Sequence, residues 1–189
     1  MLGVLGIPFE LVVPEVEELT DGVPEEVVVE NARRKAAAGL QGAAPAGQGA
    51  MALGVDTEVV IDGHLLGKAG GQDEARERLQ ALSGRTHTVL SGMVLHSAGH
   101  SDDPPRERAG VARTDVTFRE LDRATLEAYL ASAEWRDRAG AYAIQGLGSV
   151  LVEGVDGDFS NVVGLPLRLL FELAPELLAA VGEGTAGRL

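Results

Sequence analysis

Acidic and basic side chains that interrupt apolar or glycine-rich stretches are the residues of this chain best suited to chemistry. In GVDTEVV (residues 54–60), Asp56 breaks an otherwise apolar strand pattern. A buried carboxylate is costly unless it is paired or coordinates a metal. Asp56 is therefore either a carboxylate at a strand end that reaches water, or a metal ligand or general base.

Two other stretches combine glycines with polar groups. DRAGAYAIQG (residues 137–146) puts Gln145 and two glycines where a turn should lead into a strand. Glycine lets a ligand approach the backbone closely, and glutamine can donate to and accept from a base or phosphate. A purely structural glycine turn explains this pattern about as well. DFSNVVGLP (residues 158–166) leads a polar loop into a helix start, a geometry that suits anions.

The basic residues are all arginines except for Lys35 and Lys68. Lysine carries a compact point charge, whereas arginine offers a planar fork. Two retained lysines are consistent with a need for point charges, although chance is the simpler explanation on composition alone.

Several familiar site motifs are incomplete or absent. GHLLGK (residues 63–68) is one residue short of a Walker A loop, lacks the Ser or Thr after lysine and lies in a hairpin arm. His96 and His100 have the spacing of metal ligands on a helix, but His100 lies in an apparent loop without a third ligand nearby, so solvated histidines are the better interpretation. No GxSxG elbow and no HExxH is present, which removes the commonest hydrolase signatures.

Composition bounds the class of protein. At 189 residues with 45% hydrophobic content, the chain most simply forms one domain, which we place at residues 1–181 with a flexible tail at 182–189. The absence of cysteine excludes disulfides and a cysteine nucleophile and indicates the reducing cytoplasm. A net charge of −13 disfavours nonspecific binding to nucleic acid or an anionic membrane, and no apolar run is long enough to span one. The sequence leaves a homodimer open.

Periodicity and turn signals predict the elements that must position these residues. Asp62-Gly63 between two apolar runs is the strongest hairpin signal, and Asp122 is placed as a helix N-cap. The expected elements are a strand at 8–13, a helix at 24–40, a hairpin at 52–68, a helix at 72–82, strands at 86–97 and 112–121 around a loop at 98–110, a helix at 122–131, a further strand between two glycine turns, and a helix at 166–181. Helices and strands alternate along the chain without internal repeats, which predicts an α/β fold with a mixed, twisted sheet and flanking helices.

Taken together, the stretches around Asp56, Gln145 and Asp158 resemble the Maf-like family, the septum-formation proteins that act as nucleoside triphosphate pyrophosphatases. SGRTH (residues 83–87) and GIPFE (residues 6–10) share in this resemblance. It implies a fold similar to that of the inosine triphosphate pyrophosphatases, with two lobes around a cleft for nucleotide and a divalent metal, Mg²⁺ or Mn²⁺. It also implies hydrolysis to the monophosphate and pyrophosphate, and DRAGAYAIQG resembles the branch that acts on dTTP and UTP rather than on 7-methyl-GTP.

The resemblance assigns roles to the matching positions. Asp56 would be the catalytic carboxylate, which either activates water or holds the metal. Glu18 would be an acid near the metal, with Glu17 as the second choice. The substrate-binding positions would be Lys35, Lys68, Arg138 and Gln145. Such cations and a metal let a triphosphate approach a carboxylate and stabilise the charge of the transition state.

The chain departs from the family pattern after Lys68, within residues 137–146 and at its start. Ala69 stands where the family usually has proline, Arg138 replaces a lysine and Ala143 replaces a glycine, which alters loop stiffness, phosphate geometry and backbone clearance. Family members also begin with a strand and an S-x-S-P-R-R loop ahead of L-G-I-P-F, and no Ser-Pro-Arg occurs in this chain. We therefore expect MLGVLG to be the back half of the family's first helix, with the first strand and phosphate loop missing.

Three hypotheses about function remain. The first is a pyrimidine-preferring nucleoside triphosphate pyrophosphatase. The second is a non-hydrolysing nucleotide-binding protein involved in cell-division control, inactive because the phosphate loop is absent. The third is an acidic α/β domain without an active site, against which the joint presence of Asp56, Lys35, Lys68 and Gln145 argues.

Overall fold

The computed structural model describes residues 1–42, 51–97 and 106–184. Helices alternate with strands as the sequence predicts, and the Asp122 carboxylate caps its helix by accepting from Thr125 N at 2.7 Å. In chain order the elements are α1 (Pro24–Gly42), β1 (Met51–Ile61), β2 (His64–Leu65), α2 (Gln72–Leu82), β3 (Thr86–Ser97), β4 (Arg106–Phe118), α3 (Arg123–Ser132), a 3₁₀ helix (Gly146–Leu151), β5 (Val152–Asp156), α4 (Phe159–Val162), α5 (Leu167–Leu173) and α6 (Pro175–Gly184).

The five strands form one sheet in the order β2-β1-β3-β4-β5. The α/β class with flanking helices is confirmed. Every strand pair in the described part of the chain is antiparallel rather than a mixture of parallel and antiparallel. Neighbours in sequence such as β3 and β4 pair directly, and such short connections cannot join parallel strands.

The predicted hairpin turn is present between β1 and β2. Asp62 and Gly63 both have positive φ, 53° and 79°, as a tight two-residue turn requires. Only the end of β1 is covered by β2, through Val60 and Ile61. From Met51 to Glu58, the outer edge of β1 pairs with no strand among the described residues.

Two glycines let α1 lie directly on one face of the sheet. A Cβ at Gly54 would stand 2.0 Å from the backbone oxygen of Ala32, and one at Gly92 would stand 2.2 Å from that of Val28. The two glycines lie on neighbouring strands, two positions out of direct register, because Gly92 pairs with Asp56 and Gly54 with Val94. Without side chains there, α1 approaches the middle of β1 and β3 closely enough for short polar side chains to reach it.

The opposite face of the sheet carries two hydrophobic clusters. One cluster packs α2, α3 and the 3₁₀ helix on the sheet and includes Phe118 and Tyr129. The other packs α5 against the far ends of the same strands and includes Met93 and Leu170. A band of partly or fully buried polar side chains crosses the structure between them: Thr57, Ser91, Thr114 and Asn161.

The prediction of a strand at Pro8–Val13 is wrong. Residues 7–20 form neither helix nor strand, and residues 2–6 form hydrogen-bonded turns. Phe9, Leu11 and Val13 alternate but are 59%, 78% and 83% exposed. Alternation makes a strand only where one face meets a core and the backbone finds a partner, and this segment lies beside α1 instead.

Two further boundaries differ from the prediction. Residues 106–110 belong to β4 rather than to the predicted loop at 98–110, of which residues 98–105 lie outside the described residues. The predicted helix at 166–181 is split into α5 and α6 at Ala174, whose φ and ψ are −135° and 69°. Pro175 forces this break, because proline lacks an N–H and disfavours helical backbone in the residue before it. Past the break, α6 continues to Gly184, into the stretch predicted as a flexible tail.

Candidate active site

Asp56 lies in the middle of β1 on the face that α1 covers, and it is only 5% exposed. Lys35 Nζ donates to its Oδ1 at 2.6 Å, and Asn31 Nδ2 donates to its Oδ2 at 3.0 Å. Asn31 and Lys35 are four residues apart and therefore share one face of α1. Both oxygens of Asp56 are thus paired by α1, and the carboxylate is not a strand-end group that reaches water.

Lys35 joins Asp56 to a second carboxylate. Its Nζ lies 2.7 Å from Glu18 Oε1. Burial opposes the charge of Lys35, but hydrogen bonds with Asp56 and Glu18 outweigh it and raise the pKa of Lys35. The hydrogen bond from Lys35 lowers the pKa of Glu18. Glu17 instead offers its backbone carbonyl to Arg34 at 2.7 Å, so the geometry favours Glu18 over Glu17.

Asn31 belongs to this site although no motif indicated it. The residue is 1% exposed, and its amide binds Asp56 and both backbone groups of Leu19. Leu19 N donates to Oδ1 at 2.7 Å, and Nδ2 donates to Leu19 O at 3.0 Å. Asn31 therefore fixes the segment that carries Glu18. A polar residue among the buried positions of a predicted helix, one turn before Lys35, was the available signal.

Glu58 is a second carboxylate that the motifs did not indicate. It follows Asp56 by two residues and therefore shares its face of the strand. Its Oε2 is buried without a hydrogen-bond partner among the described residues. Burial raises the pKa of Glu58, and the charges of Asp56 and Glu18 raise it further, to about 7. The period of a strand, applied to Asp56, could have found this residue.

Lys68 enters the site from the sheet edge, next to the DRAGAYAIQG segment. Its backbone forms an antiparallel bridge with Ala139. This bridge brings Lys68 beside Arg138, and the two cations line one cavity of about 140 Å³. The cavity is also lined by Thr57, Tyr142 and Gly164.

Gln145 lines an adjoining cavity of about 270 Å³ together with Glu134. Arg138 and Tyr142 line both cavities and so connect them. Gln145 therefore belongs to the same cleft as Lys68, one cavity further along.

The glycine turn before Gln145 is partly structural. Gly140 has φ 64°, and a Cβ there would lie 2.8 Å from the Val59 side chain. The close approach that this glycine allows is therefore to β1. The structural interpretation holds for Gly140, whereas Gln145 itself faces a cavity.

Two other suggestions from the sequence have different outcomes. At the helix start after Pro166, Leu167 N donates to Ser160 Oγ at 2.8 Å and Arg168 N donates to Asp158 Oδ2 at 3.4 Å. The chain itself therefore uses these two N–H groups, which the sequence suggested for an anion. His96 binds the Glu107 carboxylate at 2.8 Å rather than only solvent, and His100 lies outside the described residues.

Comparison with known proteins places this arrangement in a family. The family model for Maf-like proteins matches residues 1–177. The chain belongs to the Maf-like family. The dTTP/UTP pyrophosphatase of Bacillus cereus (strain ATCC 10987 / NRS 248) is 40% identical over 176 residues, which cover 92% of this chain and 82% of that protein. The dTTP/UTP pyrophosphatases of Bacillus cereus (strain B4264) and Bacillus thuringiensis subsp. konkukian (strain 97-27) are also 40% identical, over 92% of this chain and 87% of theirs.

In this Maf-like chain the predicted site residues fall into three groups, and Lys68 relates the first to the second because its charge helps lower the pKa of Glu18. Glu18, Lys35 and Asp56 are in direct contact. Lys68 and Arg138 share the first cavity, and Gln145 lies in the second. Within the described ranges, no helix is long and apolar enough to cross a membrane.

Proposed function

We propose that this Maf-like chain hydrolyses nucleoside triphosphates, dTTP and UTP first among them, to the monophosphate and pyrophosphate. The observation that carries the proposal is the buried carboxylate of Asp56, held by Lys35 and Asn31, with Lys68 close enough for its charge to help lower the pKa of Glu18. The names of the relatives that are 40% identical support the choice of dTTP and UTP.

Asp56 is the proposed general base of this reaction. It takes a proton from water as the water oxygen bonds to the α-phosphorus, and the bond from that phosphorus to the bridging oxygen breaks. Pyrophosphate leaves with the electron pair. In this proposal the cations Lys35, Lys68 and Arg138 bind the phosphates and stabilise the charge that develops on the leaving group. In this proposal, Gln145 contacts the nucleobase of the substrate from the second cavity.

Mg²⁺ or Mn²⁺ is the proposed cofactor, with Asp56 and Glu18 as its protein ligands. In the described part of the chain, no three acidic or histidine side chains group closely enough to hold a metal alone. Mg²⁺ commonly takes one or two carboxylates and completes its shell with substrate phosphates and water, so Asp56 and Glu18 fit this mode. The unpartnered Oε2 of Glu58 adds another oxygen that lacks a donor. When bound, the metal neutralises phosphate charge.

The proposed setting is the cytoplasm, with free nucleotides as substrates. The net charge of −13 supports small anions bound through local cations, and it argues against a nucleic-acid partner. Light scattering of the purified chain tests whether it forms the homodimer that the sequence left open.

Pyrophosphate release from dTTP and UTP with Mg²⁺ or Mn²⁺ tests the proposal. Asp56→Asn is expected to lower kcat by about 10²–10⁴-fold, the range typical of a general base. Asp73→Asn, the same change at a fully exposed carboxylate on α2, should leave kcat unchanged. Wild-type chain that binds dTTP without releasing pyrophosphate would instead be a nucleotide-binding protein. Full activity in Asp56→Asn would remove Asp56 as the base.

A further inference from the structure

Glu134, in the turn after α3, holds the backbone that follows Gln145. Its Oε1 accepts from Leu147 N at 3.1 Å, and its Oε2 accepts from Gly148 N at 3.2 Å. Both N–H groups belong to the start of the 3₁₀ helix, where backbone donors lack partners within the helix. Gln145 is the N-cap residue of this helix but makes no side-chain cap hydrogen bond. Glu134 caps the helix in its place, so the Gln145 amide is not used for capping.

The segment is also held tightly on both sides of Gln145. After it, Gly146 has φ 66°, and a Cβ there would lie 2.8 Å from Glu134 Oε1. Before it, Ala143 N donates to the hydroxyl of the fully buried Tyr129 at 3.0 Å. The backbone from which Gln145 projects is therefore pinned by two side chains that belong to α3 and to the turn after it.

We propose that Glu134 is a positioning residue for base recognition, because it caps the 3₁₀ helix and so directs the Gln145 amide into the cavity that both residues line. The inference rests on the proposed function, in which Gln145 contacts the base. It deepens that function by naming the group that sets base selectivity without touching the phosphates.

Selectivity between pyrimidines needs such a group for a chemical reason. A primary amide carries both a donor and an acceptor. In one orientation it pairs with the N3–H and carbonyl of thymine or uracil, and after a flip it pairs with the amino group and N3 of cytosine. Glutamine therefore distinguishes thymine or uracil from cytosine only if the backbone position from which its side chain starts and the orientation of its amide are both restricted. A carboxylate that binds two successive backbone N–H groups through charge-assisted hydrogen bonds fixes the backbone from which this side chain starts.

Glu134→Gln tests the proposal, since it keeps the side-chain volume and replaces one acceptor oxygen by a donor. We expect KM for dTTP to rise roughly tenfold, about the effect of one charge-assisted hydrogen bond, and the preference for dTTP over dCTP to fall by a similar factor. We expect kcat to stay within about threefold, because the chemistry occurs at the other end of the nucleotide. Gly146→Ala should produce the same loss of preference, since its Cβ displaces the carboxylate without removing it.

The matched control is Glu127→Gln on α3. Glu127 is an exposed carboxylate that pairs with Arg76 at 3.0 Å and lies outside the nucleotide cleft. It should leave KM, kcat and base preference unchanged. Circular dichroism and thermal unfolding verify that each variant is folded before its kinetics are compared.

The inference is overturned if folded Glu134→Gln and Gly146→Ala keep the wild-type base preference, or if only kcat falls. Calorimetric binding of dTMP and dCMP separates this failure from failure of the proposed function. If wild-type chain releases no pyrophosphate but prefers dTMP, and Glu134→Gln loses that preference, the inference stands while the enzymatic function fails. Equal binding of dTMP and dCMP by wild type overturns the inference.

Discussion

Asp56 and Glu58 share one face of β1, but the fold gives the two carboxylates different hydrogen-bond partners. Asp56 is the more buried of the two, yet each of its oxygens accepts a hydrogen bond from α1. Glu58 is less buried, but its Oε2 has no partner among the described residues, and its pKa is raised to about 7. The two carboxylates therefore differ in their hydrogen-bond partners, and burial together with nearby acidic charges acts on the one that lacks a partner.

The difference separates two kinds of carboxylate within one site. Asp56 is kept in place by Lys35 and Asn31 and is suited to accept a proton or bind a cation. Glu58 gains from any cation that reaches Oε2, because burial and the charges of Asp56 and Glu18 all oppose its ionisation. The three predictions below test this contrast in the metal-free protein, in buffer with EDTA.

Removal of Lys35 should have the largest effect on stability. Lys35→Met keeps the length of the side chain and leaves Asp56 buried without its cation. Losing one partner of a buried ion pair costs about 3–5 kcal/mol, which we discount to about 2–3 kcal/mol because the lysine side chain is 23% exposed. Urea unfolding at pH 7.5 measures this difference.

The control for Lys35 is Arg168→Met on α5. Arg168 pairs with Glu172 at 3.0 Å and its side chain is 83% exposed, so its loss should change stability by about 0–1 kcal/mol. Equal effects of the two changes would show that the ion pair of Lys35 with Asp56 contributes no more to stability than an exposed pair.

Glu58→Gln should increase stability, in contrast to the loss expected for Lys35→Met. A carboxyl group whose folded pKa is raised to about 7 from 4.5 favours folding fully below pH 4.5, and this contribution is lost as pH rises through 7. Above pH 7 the wild-type chain bears the cost of a buried charge, and a neutral amide avoids it. We expect Glu58→Gln to be more stable than wild type at pH 8 by about 2 kcal/mol, discounted for partial exposure. A less stable variant would mean that Oε2 has a donor.

The pH dependence of stability should show the smallest effect. His87 is buried, with Nε2 2.8 Å from the Tyr142 hydroxyl, and burial lowers the pKa of His87 to about 4. Its contribution is full above pH 6.5 and is lost as pH falls toward 4. Between pH 4.5 and 6.5 the unfolded chain has a protonated His87 and the folded chain a protonated Glu58, so these two slopes cancel.

Urea unfolding at half-unit steps from pH 4.5 to 6.5 checks this cancellation. Glu58→Gln should reveal the slope of His87, with stability rising by up to about 1.4 kcal/mol per pH unit. His87→Gln should reveal the slope of Glu58, with stability falling as pH rises. The contrast between Glu58 and Asp56 is lost if Glu58→Gln has the same pH profile as wild type.

The sequence correctly predicted those helix starts and turns that depend on only a few neighbouring residues. Pro24 and the acids after it began α1, Asp122 capped α3, and Asp62-Gly63 formed the hairpin turn. The strand at Pro8–Val13 failed because alternation does not say whether a partner strand is available. The last helix was split because the predicted interval ran through Pro175, whose ring acts on the residue before it.

The candidate site divides in the same way. The family resemblance named Glu18, Lys35 and Asp56, and the structure joins them through one ammonium group. The resemblance did not name Asn31, Glu58 or Glu134. Asn31 and Glu134 bind residues that are 25 and 14 positions away along the chain. Glu58 was not singled out because Asp56, two residues earlier, was read as the one acidic residue that interrupts the apolar strand pattern.

The amino-acid sequence by itself determined the α/β class, the order of the main elements and the residue types that a nucleotide site needs. Those properties follow from local backbone preferences and side-chain chemistry. Only the tertiary structure decided the surroundings of each carboxylate. It pairs Asp56 with α1, raises the pKa of Glu58 and places Glu134 at the start of the 3₁₀ helix. Each outcome depends on what another element places within about 3 Å, the range of a hydrogen bond, and no local pattern encodes that distance.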